Sequence, residues 1–161
     1  MTGAGQLTRR YVAVVGPADT ARQSDLDNAR TVGRLLAEDG AVVLTGGHHG
    51  VMRAAAAGAT AGGGTSIGLL PGLDRSEGAA EHTFLLPTGL GELRNGVLVR
   101  AADAVVAVGC SWGTLSEIAL ARRTGVPLVL LDPWPLPDDV GIVVSDGTAA
   151  VRALTELLTD G

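Results

Sequence analysis

The sequence contains no lysine, and this absence excludes two classes of enzyme. All 12 of its basic residues are arginines. A Schiff-base enzyme, such as a lysine decarboxylase that carries pyridoxal phosphate, needs a lysine amine of its own. A P-loop kinase or ATPase needs the lysine of its glycine-rich loop. The chain therefore belongs to neither class.

Cysteine, aromatic residues and positive charge are also scarce. Cys110 is the one cysteine, so no intramolecular disulfide can form. Aromatic residues make up 2% of the chain, and a core of aliphatic side chains suits helices packed on a parallel sheet. The formal net charge of −5 argues against nucleic acid as a partner, because non-specific binding to it needs a basic surface. A small phosphorylated ligand stays compatible, since backbone amides can hold a phosphate.

Long apolar runs are absent too. No run approaches the length of a membrane span, and the polar stretch Met1 to Arg10 lacks the apolar centre of a signal peptide. We therefore expect a cytoplasmic protein without a membrane partner. No spacing of histidine, cysteine and carboxylate indicates a metal site, and we expect no resident cofactor. The 161 residues fit one domain, which we place at residues 10–161 after a flexible segment at residues 1–9.

Short apolar runs alternate with helical patterns along the whole chain. Strands are predicted at residues 11–16, 41–44, 66–70, 83–86, 103–108, 128–131 and 141–144. Helices are predicted from residues 25, 51, 90, 114 and 148. This alternation is typical of a parallel sheet with right-handed crossovers. The sequence thus predicts an α/β fold, a Rossmann-like doubly wound sheet of six or seven strands with helices on both faces.

Glycine-rich segments follow three of the predicted strands, and two of them open a helix. Ligands in such sheets bind beyond the carboxyl ends of the strands, and a helix N-terminus offers free amides to a phosphate. The predicted nucleotide- and phosphate-binding residues are Gly16, Gly46, Gly47, Gly50, Met52, Gly109, Cys110, Ser111, Gly113 and Thr114. No G-x-G-x-x-G follows the first strand, and no acidic residue ends the second, so a NAD site is disfavoured.

Two of these segments resemble the motifs of the Lonely Guy family. The segment Gly46-Gly47-x-x-Gly50-x-Met52 resembles its first motif, and Gly113, Thr114 and Glu117 match its second. Arg94 precedes Glu117 at the family's spacing, and Arg100 matches a further family arginine.

The resemblance implies a nucleoside 5′-monophosphate phosphoribohydrolase, which cleaves the N-glycosidic bond of an AMP-like nucleotide. It implies that Glu117 stabilises positive charge on the ribose or orients the attacking water. It implies that Arg94 holds the phosphate or the leaving base. Without a ligand role, Glu117 is a carboxylate favoured by the helix dipole, and Arg94 is a surface arginine. Family members are dimers or larger, so a homodimer or higher homo-oligomer is expected.

Departures from the family's motifs leave a second function open. Gly109, Cys110 and Ser111 replace the proline and two glycines of the second motif, and Asn95 replaces the lysine after the catalytic arginine. The Arg94-Asn95 pair and the short chain are closer to the branch that includes the molybdenum cofactor carrier protein. The alternative is therefore a non-catalytic carrier that binds a nucleotide or the phosphorylated molybdopterin cofactor.

Overall fold

The computed structural model describes residues 5–160 and confirms the α/β fold. Seven parallel strands form one sheet in the order β4-β3-β2-β1-β5-β6-β7. The strands are β1 (Tyr11–Val15), β2 (Val42–Thr45), β3 (Ser66–Leu70), β4 (Phe84–Pro87), β5 (Ala104–Val108), β6 (Leu128–Leu131) and β7 (Ile142–Val144). The helices are α1 (Gln23–Glu38), α2 (Val51–Ala61), α3 (Arg94–Ala101), α4 (Trp112–Thr124) and α5 (Gly147–Thr159). No helix in the described residues is long and apolar enough to cross a membrane.

The sheet separates two hydrophobic cores. Side chains of β1 alternate between them: Val12 and Val14 pack with α1, α2 and α5, whereas Ala13 and Val15 pack with α3 and α4. The strands β5 and β6 are buried along their whole length, as expected for strands covered on both faces. The aliphatic composition predicted this arrangement of layers.

The helix predicted from residue 90 begins later than expected. Residues Gly91–Leu93 form a 3₁₀ turn, and α3 starts at Arg94. Gly89 and Gly91 have φ angles of 66° and 58°, and this left-handed backbone cannot continue an α-helix. As a consequence, Arg94 lies at the first position of α3.

The segment before β1 contributes to the first core. Leu7 is fully buried there, and the amides of Gly5 and Gln6 donate to Asp39 Oδ1 at 2.9 and 3.1 Å. The flexible segment predicted for residues 1–9 lies partly outside the described residues. Its described part, residues 5–9, packs against the domain predicted at residues 10–161.

The strand order places a crevice between β1 and β5. The chain leaves β1 for α1 on one face of the sheet and leaves β5 for α4 on the other. Beyond the carboxyl ends of these two strands, the connecting loops separate. Parallel α/β sheets bind ligands at this switch point.

Close contact between α1 and α2 gives a test of the packing. A Cβ added at Gly33 would clash with the carbonyl oxygen of Ala55, whereas a Cβ at Gly96 in α3 would have no neighbour within 4 Å. We expect Gly33→Ala to lower the free energy of unfolding by about 1–3 kcal/mol. Gly96→Ala is the matched control and should raise it by about 0.5–1 kcal/mol, because alanine suits a helix better than glycine. Urea denaturation measures both, and equal effects would contradict the packing.

Candidate functional site

A cavity of about 160 Å³ lies at the switch point. We call it the switch-point cavity. It is lined by Val15, Gly16, Ala18, Gly46, Met52, Arg94, Asn95, Ser111, Gly113, Thr114 and Glu117. The structure thus brings together both predicted catalytic residues and six of the predicted phosphate-binding residues. Val15, Ala18 and Asn95 line it as well, although no motif had assigned them a role.

The N-terminus of α4 forms one wall of this cavity. The Ser111 hydroxyl accepts the Thr114 amide at 3.3 Å, and the Ser111 carbonyl accepts the Leu115 amide at 2.8 Å. The amides of Trp112 and Gly113 are left without an acceptor inside the helix. A side chain at Gly113 would meet only Ser111 Oγ, at 3.9 Å, so the backbone there is open to a ligand. These features are typical of an anion site at a helix end.

Thr114 supports this wall from behind. Its side chain is buried, and its hydroxyl lies 2.9 Å from Ser111 Oγ. Either hydroxyl can be the donor in this contact, and both residues line the cavity.

Arg94 ties two strand ends together beside the cavity. Its Nη1 donates to the carbonyl oxygens of Gly46, at 2.6 Å, and Leu69, at 2.9 Å. A side chain at Gly46 would collide with this Nη1, which explains the need for glycine there. Arg94 Nε is buried and has no partner among the described residues. Burial lowers the pKa of Arg94, and the nearby Glu117 opposes that change.

Glu117 faces the same cavity from α4. Burial raises its pKa to about 7, and the positive charge of Arg94 partly offsets this rise. No ion pair within 4.0 Å joins the two side chains in the described part of the protein. A carboxyl group with a pKa near neutrality can both hold and release a proton, as general acid–base chemistry requires.

Four predicted binding residues lie away from the cavity lining. Gly47, Gly50 and Gly109 have φ angles of 83°, 62° and 71°, so they shape the turns that carry their neighbours. Cys110 lies in the loop between β5 and α4 and lines a different cavity, together with Trp134. Burial raises the pKa of its thiol, which favours the neutral form.

A buried histidine, His82, supports the glycine-rich loop after β2, and no sequence motif had pointed to it. The Thr45 hydroxyl lies 2.6 Å from His82 Nε2 and accepts the Gly47 amide at 2.9 Å. His82 Nδ1 lies 2.9 Å from the carbonyl oxygen of Ala79. This network assigns the proton to Nδ1, so that Nε2 accepts from Thr45. A single histidine in a polar loop carries no sequence signal for such a role.

The fold and the cavity define a Rossmann-like α/β domain with a candidate ligand site at its switch point. Residues 9–156 match the model of the SLOG cluster4 family, and the chain belongs to that family.

Three similar proteins have names that bear on function. The chain is 33% identical to the molybdenum cofactor binding protein of Rippkaea orientalis, with a TM-score of 0.88 over 92% of this chain and 97% of that one. It is 34% identical to the molybdenum cofactor carrier protein of Chlamydomonas reinhardtii, with a TM-score of 0.86 over 93% and 98%. It is 31% identical to the cytokinin riboside 5′-monophosphate phosphoribohydrolase of Mycobacterium tuberculosis, over 76% of this chain and 71% of that protein.

The role of His82 predicts a dependence of stability on pH. Burial lowers the pKa of His82 below its ordinary value. As the pH falls, the unfolded chain therefore takes up a proton at this histidine at a higher pH than the folded chain does. The stability that His82 contributes should be complete above the unfolded pKa of about 6.5 and should fall as the pH drops below it, whereas Glu117, with its pKa raised to about 7, contributes in the opposite direction. The loss from His82 is at most about 1.4 kcal/mol per pH unit.

Urea denaturation between pH 7 and pH 5 measures this loss. The difference in the free energy of unfolding between the wild type and His82→Gln should change in favour of the variant as the pH falls from 7 to 5, because the variant lacks the group that takes up the proton. His49→Gln is the matched control, since His49 is exposed, and it should keep the wild-type slope. An unchanged slope in His82→Gln would contradict the proposed network.

Proposed function

We propose that this protein binds a small phosphorylated ligand with its phosphate at the N-terminus of α4. One observation carries the proposal: the switch-point cavity is lined both by Gly113, whose amide at the N-terminus of α4 has no acceptor inside the helix, and by Arg94. The amides donate hydrogen bonds, and the helix dipole favours negative charge at this end. The positive charge of the partly buried Arg94 adds to the attraction.

Within this class we favour a carrier of the phosphorylated molybdopterin cofactor, which would be cargo and not a reagent of the protein. The two structural neighbours named for that cofactor align over more than nine-tenths of the chain. The residues present fit its phosphate end, since the amides and Ser111 offer donors to it. The segment Gly109 to Ser111 and the residue Asn95 depart from the hydrolase motif, which also supports a carrier.

A phosphoribohydrolase is the second candidate, and Glu117 favours it. The resemblance to the Lonely Guy family and the name of the Mycobacterium tuberculosis relative point the same way. In this reaction an ionised Glu117 would orient a water molecule and take its proton as the water oxygen bonds to the ribose. The bond from ribose to base would break with its electron pair going to the base nitrogen, which would take up the proton from Glu117, and the developing positive charge on the ribose would face the Glu117 side chain. The products would be the free base and ribose 5-phosphate.

The family resemblance also supports a homodimer or a larger homo-oligomer. Leu93, just before α3, and Val97, within it, are 75% and 44% exposed and provide an apolar surface for a second copy. Light scattering of the purified protein measures the assembly directly.

Binding and turnover can be separated with one set of ligands. Purified protein is mixed with ribose 5-phosphate, nucleoside monophosphates or molybdopterin, and both its melting temperature and the released base are measured. The carrier predicts a higher melting temperature without released base, because a ligand that binds the folded state stabilises it. Released base would establish the hydrolase in its place. If no phosphorylated compound raises the melting temperature or loses its base, the proposed function is wrong.

Glu117→Gln tests the carboxyl group in either case. Above pH 7 the ionised Glu117 repels a phosphate, so the wild type should lose affinity for ribose 5-phosphate relative to this variant as the pH rises from 6 to 8. If the protein is a hydrolase, the variant should also lose turnover by about 10²–10⁴-fold. Calorimetry at each pH measures the first effect, and chromatography of the released base measures the second.

Glu156→Gln on α5 serves as the matched control, because Glu156 is exposed and far from the cavity lining. It should bind like the wild type at every pH. Equal affinities of the wild type and Glu117→Gln from pH 6 to pH 8 would show that the carboxylate does not face the phosphate.

A further inference from the structure

The switch-point cavity is too small for the whole ligand. Its volume is about 160 Å³, whereas pockets for ligands of this kind span roughly 300–1,000 Å³. It accommodates a phosphate and part of a sugar, so the ring of a nucleotide or a pterin must lie elsewhere.

A second cavity, of about 420 Å³, opens on the other side of the same two loops. Pro17 lines this second cavity while its neighbours Gly16 and Ala18 line the first. In the β5 loop, Cys110 lines the second cavity and Ser111 lines the first. The two cavities are therefore lined by neighbouring residues of the same two loops.

We propose that the second cavity binds the heterocyclic ring of the ligand, and that Asp132 selects a ring with a 2-amino-4-oxo pyrimidine edge. Guanine and pterin share this edge, which places an N–H group beside an amino group. The inference rests on the proposed function, because the phosphate at α4 fixes which end of the ligand enters the second cavity.

The charges of the second cavity determine this orientation. Arg22 donates through Nε and Nη2 to the buried carboxylate of Asp25, at 3.3 and 3.2 Å. The same Nη2 lies 3.4 Å from Asp132 Oδ2. One guanidinium thus faces two carboxylates, and the surplus negative charge repels a phosphate. A neutral ring with adjacent N–H donors satisfies a carboxylate in two hydrogen bonds.

The backbone of Asp132 supports a functional role. This residue follows the buried strand β6, and its φ angle of 47° is left-handed. Residues other than glycine hold this conformation at a cost, and such residues cluster at binding sites. Its side chain is 60% exposed, so the carboxylate is open to a ligand.

An aromatic wall lies beside this carboxylate. Trp134 lines the second cavity, and its ring packs edge-on against Trp112 with 4.9 Å between the ring centres. This contact limits rotation of the Trp134 ring. A fixed indole next to a hydrogen-bonding carboxylate suits a flat heterocycle, which stacks on one and donates to the other.

Calorimetry with five ligands tests the proposal: ribose 5-phosphate, AMP, IMP, GMP and neopterin monophosphate. GMP and neopterin monophosphate should bind the wild type at least about tenfold more tightly than AMP, with IMP between them because it lacks the amino group. In Asp132→Asn this preference should fall to about twofold. Asparagine tolerates the left-handed backbone as aspartate does, so the variant should fold.

Ribose 5-phosphate separates the two claims. It should bind the wild type and Asp132→Asn equally, because it does not reach the second cavity. The exposed Asp138 gives the matched control, and Asp138→Asn should keep the full preference for GMP. Equal affinity for all four ring-bearing ligands, with ribose 5-phosphate still bound, would overturn the ring site alone. Failure of ribose 5-phosphate to bind would overturn the phosphate site instead. A preference for neopterin monophosphate over GMP would identify the pterin as the source of the edge.

Discussion

The site depends on one topological constraint, the reversal of strand order between β1 and β5. Because the sheet grows in opposite directions from these two strands, α1 leaves on one face and α4 leaves on the other. This divergence opens a crevice beyond their carboxyl ends. The switch-point cavity lies on the α4 side of this space, and the cavity that contains Asp132 lies on the α1 side. A ligand with two chemically different ends suits this division, with its phosphate on one side and its ring on the other.

Arg94 and Glu117 determine the electrostatics on the α4 side. Arg94 Nη1 donates hydrogen bonds to two backbone carbonyl groups, and these contacts hold the positive charge in one position. Two effects oppose each other in the pKa of Glu117: burial raises it by favouring the neutral form, and Arg94 lowers it by favouring the ionised form. The outcome is a carboxyl group that titrates near neutral pH beside a fixed positive charge. The same pair suits a carrier, which must tolerate a phosphate dianion, and a hydrolase, which must move a proton.

Much of the fold and part of the site could be predicted from the sequence. Each strand is a compact apolar run between turn residues, and the alternation with helices leaves few topologies. Arg94, Thr114 and Glu117, which the motif spacing selected, line one cavity. Apolar runs, turn residues and motif spacing are local patterns, and a single sequence is enough to identify them.

The rest depends on contacts between distant segments. The role of His82 arises because its loop returns to the end of β2. The salt bridge from Arg22 to Asp132 joins loops after β1 and β6 and has no signature in either. Such features become visible only when the chain is folded.

Both proposed functions require a phosphate bound at the N-terminus of α4. Nuclear magnetic resonance of ¹⁵N-labelled protein tests this directly, because a phosphate that accepts a hydrogen bond shifts the resonance of the donating amide. On addition of ribose 5-phosphate, the largest shifts should fall on the amides of Trp112 and Gly113. Largest shifts at the N-terminus of α1, α2 or α5, with those two amides unmoved, would contradict the account.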